Sequence, residues 1–224
     1  MYKYLLPLSA VLIGVLLVVV LRQKKTNYLK LLLPFSGAFL LALTLFDLLP
    51  EVYHNLEGKQ TGLFIMCGIL MQIILEFFSK GAEHGHVHIH THGNAFPWAL
   101  FLSLCIHSVM EGFSIHQHND MVYGILIHKI PIAMVIMTFL VYSKYSKLQV
   151  VLFLTIFALM TPLGTYLSNN AAFVADYVNI INAFVIGIFF HISTVILFES
   201  SEGHKFNLSK LIAIILGVSV AFMI

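Results

Sequence analysis

His107 and Glu111 stand four residues apart in "CIHSVMEGFSIHQH", and His128 follows in "ILIHKIPIAM". On a helix, a four-residue step stacks two side chains on one face about one turn apart, so His107 and Glu111 can reach the same ion. His128 supplies a second imidazole, and the three residues together offer two nitrogens and a carboxylate. That set suits zinc, with a fourth position left for water or a moving ligand; iron, manganese and cadmium take overlapping ligand sets. Lys129 places a cation beside His128, and Pro131 cannot donate to the Ile127 carbonyl, which predicts a kinked or loosened helix there. The competing reading is structural: helical histidines hydrogen-bond across a bundle while Glu111 pairs with Lys129.

These residues need elements to hold them, and the composition says which kind. The chain of 224 residues is 59% hydrophobic and only 10% charged, against about 25% charged for an ordinary globular domain. Its mean hydropathy is +0.94. Apolar runs long enough to span a bilayer begin near Leu5, Leu32, Leu63, Ala95, Val122, Val150, Val178 and Leu208. They are continuous rather than alternating, which disfavours a β-barrel. The expected fold class is an all-α integral membrane protein, eight transmembrane helices in one compact bundle. The intervening loops are too short for a soluble domain, so residues 1–224 read as a single transmembrane domain. Leu5 to Leu21 lacks a small-residue cleavage site and is followed by "RQKK", which favours a retained helix over a signal peptide.

Arg22, Lys24, Lys25, Lys30, Lys80, Lys144, Lys147, Lys205 and Lys210 fall in or beside the odd-numbered loops, against Lys3 and Lys59 on the other side. The positive-inside rule then puts the odd loops in the cytoplasm and both termini outside it. A net charge of +2, scattered along the chain, excludes nucleic acid as a partner. Cys67 and Cys105 lie inside apolar runs and read as small buried thiols.

Further ionisable groups sit in or near the spans, where charge is costly and so marks function by default. Asp47 and Glu51 in "LFDLLPEVYH" are one turn apart at the outer end of the second helix, suited to drawing cations to a mouth. His191 falls near the middle of the seventh helix, and Glu199 ends it on the cytoplasmic side, a candidate release relay. Glu76 reads as a side chain that snorkels at the inner end of the third helix, outside the site. A cytoplasmic loop over residues 80–94 carries His84, His86, His88, His90 and His92 at every second position. Such a segment can capture transition metals weakly and with varied geometry.

With these residues in view, the chain resembles the ZIP (Zrt-, Irt-like) family of zinc and iron permeases. "HSVMEG" is similar to the family's fourth-helix "HNxPEG", and "HKIPIA" to its fifth-helix "HExPHE" or "QDxPEG"; "DLLPE" and "TPLG" are similar to further signatures on helices two and six. The resemblance implies a transporter that moves divalent metal, zinc foremost, into the cytoplasm by alternating access, with metal as substrate and no catalytic cofactor. It implies His107, Glu111 and His128 as metal ligands. The family's second-metal positions fall at Ser108, Lys129 and Thr161, and its bridging carboxylate at Ile132. None of these keeps a strong ligand, so the expectation is a mononuclear site with Lys129 standing where an auxiliary metal would be. Two cations about 4 to 6 Å apart repel by several kcal/mol at an effective dielectric near 20, which weakens metal binding and speeds release. Because imidazole must be neutral to ligate, uptake is expected to fall below about pH 6.

Two rivals from other classes remain at this point: an intramembrane zinc-dependent hydrolase, for which "HExxH" is absent, and a haem protein with two axial histidines. The expected partners are divalent metal ions and the lipid bilayer. Gly14, Gly37 and Ala38 permit close helix packing, and a homodimer is one assembly they allow. The expected location is the plasma (inner) membrane of a bacterium.

Overall fold

The computed structural model describes residues 1–21, 26–79, 96–115, 120–143, 145–199 and 208–224. All regular structure among them is helical. α1 is Tyr2–Leu21; α2 runs Thr26–Leu43, widens into a π-helical turn at Thr44–Leu48 and finishes as Leu49–Asn55; α3 is Gly58–Ser79. α4 is Trp98–Phe113, α5 Met121–Tyr142, α6 Lys147–Asn170, α7 Ala172–Glu199 and α8 Leu208–Phe222. Six of these rods are long and apolar enough to cross a membrane, while α4 and α8 are shorter apolar helices. At 16 and 15 residues the short pair reach only about 24 and 22 Å. The fold is thus the all-helical membrane bundle that the hydropathy predicts.

The boundaries depart from the sequence reading at two loops. "SNNAAFVAD" is nearly all helix, with Ala171 alone separating α6 from α7. Polar side chains do not by themselves end a helix: Asn169 and Asn170 donate back to the Thr165 and Tyr166 carbonyls, and the chain breaks only where Ala171 turns extended. "EVYHNLEGKQ" is likewise reduced to Leu56 and Glu57 between α2 and α3. The π turn in α2 precedes Pro50, whose missing N–H would leave an α-register carbonyl without a donor; in the wider register, Leu49 N–H donates to the Thr44 carbonyl. α5 runs through Pro131 without interruption. α6 begins with a capping box, Ser146 and Gln149 exchanging side-chain and backbone hydrogen bonds.

The helices associate in two sets. α1 packs on α5 and α6, and α4 on α6; α2 packs on α7 and α8, and α3 on α7. Each main pair crosses at glycine: Gly14 of α1 on α5, Gly112 against Gly164 for α4 and α6, Gly68 against Gly187 for α3 and α7, and Gly217 of α8 on α2. A Cβ at any of these positions would strike the partner's backbone, the close approach that small residues permit where lipid supplies no hydrophobic drive. The sets meet along α2 and α5, over an interface as extensive as that of α2 with α7, and again at α3 and α4; at the first of these a Cβ on Gly124 would meet only the side-chain tips of Leu43 and Leu40, at 3.0 and 3.3 Å. Gly14, Gly37 and Ala38 are all used inside the chain, Gly37 beneath Ile196 and Ala38 beside Gly217.

Two apolar clusters form the core. One joins Leu40, Leu43, Val122, Ile125, Ile186 and Phe189; the other joins Val11, Phe101, Leu104, Ile132, Phe153 and Phe157. α5 contributes its first turns to one and its last turns to the other. The buried polar residues between them are His128 and Lys129 on α5 and His107, Ser108 and Glu111 on α4.

Candidate metal centre

α4 ends at Phe113, inside the bundle, and an interrupted helix there must satisfy its last carbonyls without water. α6 does this with hydroxyls: Thr165 donates to the Gly112 carbonyl at 3.1 Å and Ser168 to that of Phe113 at 3.2 Å, while Ser114 donates to that of Glu111 at 2.8 Å. The final turn of α4 is thereby fixed against α6, and with it the Glu111 side chain.

Glu111 is fully buried and its two oxygens have different neighbours. Oε1 lies 3.1 Å from His107 Nε2 and 3.9 Å from His128 Nε2. Oε2 accepts from Lys129 Nζ at 2.6 Å and from Thr161 Oγ1 at 3.2 Å. Lys129 Nζ also donates to Ser108 Oγ at 2.9 Å and lies 4.6 Å from the centre of the Phe157 ring. His107, His128 and Lys129 are no more than 1% exposed. An isolated carboxylate would be prohibitively costly there; the ammonium at contact distance makes it tolerable, at the expense of desolvating both groups.

One ligand atom from each of His107, Glu111 and His128 can be chosen so that all lie within 4.8 Å of one another. A tetrahedral zinc with bonds of about 2.1 Å needs its donors about 3.4 Å apart. The edge between His107 and Glu111, at 3.1 Å, is already that short, while His128 lies farther off, 3.9 Å from Oε1. The imidazole rings, 6.3 Å apart and inclined at 75°, face a space that the Glu111 carboxylate occupies, which leaves no room for a haem between them. Among the described residues this is the one group of three or more His, Cys, Asp or Glu donors drawn together.

The Lys129 contacts join two readings that the sequence set apart: Glu111 does pair with Lys129, and the same carboxylate also faces both histidines. Ser108, Lys129 and Thr161, the positions that the resemblance assigns to a second metal, all gather at Glu111 Oε2 or the ammonium on it. Ile132 is buried in the apolar cluster nearby.

The remaining candidates lie elsewhere. Asp47 sits in the π turn and Glu51 in the turn after it, both half-buried. His191 falls in the last third of α7, beyond the middle expected for it, because α7 starts at Ala172. The snorkelling expected of Glu76 is corrected: Glu76 Oε2 is 2.5 Å from His191 Nε2, joining α3 to α7, with the two side chains 23% and 15% exposed. The cost of an apolar-flanked carboxylate was the signal that Glu76 had a partner. Phe157 was missed as well; its four-residue spacing from Thr161 puts both on the face of α6 turned to Lys129. Glu199 ends α7, while its side chain and His84, His86, His88, His90 and His92 lie outside the described residues.

The family profile described as ZIP Zinc transporter matches residues 80–224, from the histidine-rich segment through α8. Zinc transporter ZIP1 of Danio rerio is 29% identical over 182 residues, covering 58% of this chain and 60% of that protein. Zinc transporter ZIP1 of Takifugu rubripes is 34% identical over 88 residues, 37% of this chain and 29% of that protein. The chain thus spans less than two thirds of the length of either relative. With the profile matching more than half of the sequence, and α4 and α5 supplying its buried histidines and glutamate, the chain belongs to the ZIP zinc transporter family.

Proposed function

We propose that this chain carries divalent metal ions, zinc foremost, across a membrane through a single-ion site made by His107, Glu111 and His128. The observation that carries the reading is the buried convergence of three donors from α4 and α5 on one point, with the second oxygen of the carboxylate held by Lys129. Lys129 acts as a resident cation in place of a second metal: it orients Glu111 and supplies positive charge without needing to be loaded. A transporter must also let go, and a fixed ammonium beside a divalent ion favours release. The name of the two fish relatives, zinc transporter, points the same way.

The side chains of the site are at most 1% exposed, so in our reading an ion reaches it only when the bundle rearranges. The two helix sets offer a seam for that movement: backbones interlock at glycine within each set, whereas side chains meet at Gly124 between them. In our reading residues 1–224 work as one unit, with both termini outside the cytoplasm, and metal moves inward. It passes Asp47 and Glu51, binds at His107, Glu111 and His128, and leaves by way of His191 with Glu76, then Glu199 and the histidines of residues 80–94. Iron, manganese and cadmium are further candidate substrates for the same ligand set. The plasma membrane is the boundary we propose; the two relatives are from fish and lend nothing to a bacterial source.

A hydrolase would need a base free to activate water, and the one carboxylate of this cluster is held by Lys129 and Thr161. Reconstitution in liposomes separates the classes. The expected result is zinc flux that disappears in a His107→Ala, Glu111→Ala double variant. Undiminished flux in that variant, or peptide or lipid turnover without flux, sinks the assignment.

A further inference from the structure

Lys129 is held from more sides than its ion pair requires. Ser108 Oγ and Glu111 Oε2 take two of its N–H bonds at 2.9 and 2.6 Å, and the Phe157 ring centre lies 4.6 Å from Nζ. An ammonium at that distance from an aromatic ring is drawn to the negative face of the π system, the more strongly where water is excluded. Phe157 is 1% exposed and Lys129 likewise, so nothing screens the contact. The ring sits one turn before Thr161 on α6, whose hydroxyl donates to the same carboxylate oxygen as Lys129.

We propose that Phe157 is a positioning residue for Lys129: its ring holds the ammonium on the Oε2 side of Glu111 and so keeps Oε1 and the two imidazoles for the metal. This rests on the reading of His107, Glu111 and His128 as the metal site. Among the described residues, the ammonium is the one fixed cation on the carboxylate, and it competes there with a metal ion. Held by ring, serine and Oε2, it stays on one oxygen; with the ring gone, it has freedom to bridge both oxygens and obstruct the metal. Phe157 therefore matters only while Lys129 is present, which distinguishes this role from simple filling of the apolar cluster it also belongs to.

The test is zinc affinity of the full chain in nanodiscs, measured by calorimetry. Phe157→Leu removes the π face, and replacing Phe157 with 3,4,5-trifluorophenylalanine keeps the ring in place while draining that face of negative charge. Both are expected to weaken zinc binding by about 3- to 30-fold, the range of a desolvated cation–π contact. In a Lys129→Met background neither change should alter affinity, since a double-mutant cycle isolates the pairwise part. Equal losses with and without Lys129, or full affinity in the trifluorinated protein, overturn the inference and leave Phe157 as packing. Zinc binding that survives His107→Ala and His128→Ala overturns the metal-site reading itself, and the inference with it; binding that needs both histidines but ignores the ring overturns the inference alone.

Discussion

The bundle holds two histidine–carboxylate contacts in different surroundings. His107 and Glu111 belong to one helix, are at most 1% exposed, and are joined by His128, Lys129 and Thr161 from two more helices. His191 and Glu76 come from α7 and α3, meet at 2.5 Å, and keep 15% and 23% of their side-chain surface open. The comparison teaches that the same pair of residue types is not by itself an ion site. Among the described residues, the first contact alone has a third His, Cys, Asp or Glu donor within reach, and a lysine ammonium sits on its carboxylate. The second contact is partly open.

The sharpest way to break that distinction is Glu111→Gln. Zinc affinity should fall by more than about 100-fold, beyond what the loss of a merely orienting group costs. The same change leaves Lys129 buried without its counter-charge, so the protein should also lose about 3 to 5 kcal/mol of stability, visible as a lowered melting temperature in nanodiscs. Retained affinity would make the central contact no more an ion site than the peripheral one.

Next in size is Gly112→Ala. A Cβ there would meet the Thr161 carbonyl and Thr165 amide, forcing α4 from α6 beside the site, at about 1 to 3 kcal/mol and with loss of flux. Gly124→Ala, which meets only leucine tips, should be tolerated within about 1 kcal/mol. Thermal melts and flux on the two variants compare a backbone-locked crossing with a side-chain one; equal damage would remove the argument for a seam between the helix sets.

Lys129→Met should act in the opposite direction on affinity. Removing the resident cation is expected to tighten zinc binding by at least about 10-fold while slowing turnover at saturating metal. Weaker binding would mean that Lys129 supports the metal through Glu111 more than it opposes it. The smallest effect belongs to the peripheral contact: Glu76→Gln or His191→Ala should slow flux by about 3-fold, the scale of one interhelical hydrogen bond, with zinc affinity unchanged. A matching drop in affinity would move that pair into the binding site.

Much of this protein is legible without coordinates. Eight apolar runs and the spacing of His107 from Glu111 follow from two fixed quantities, the thickness of a bilayer and the pitch of a helix. His128 also announces itself, since an imidazole inside a span is costly unless used. Helix ends were less legible, because "SNNAAFVAD" is polar yet helical: polarity reports contact with water or headgroups, not a break in backbone hydrogen bonding.

What the sequence could not decide is which neighbours the helices bring. Nothing local says that Glu76 meets His191, 115 positions further along the chain, or that Phe157 and Thr161 face Lys129. Nor does it say whether Lys129 pairs with Glu111 or turns away, whereas in the folded chain the ammonium sits on Glu111 Oε2 while Oε1 faces both histidines. The reason is physical: periodicity fixes the face on which a side chain lies, while the partner of that face depends on helix crossings. Those crossings are set by glycines whose role appears only when two backbones touch.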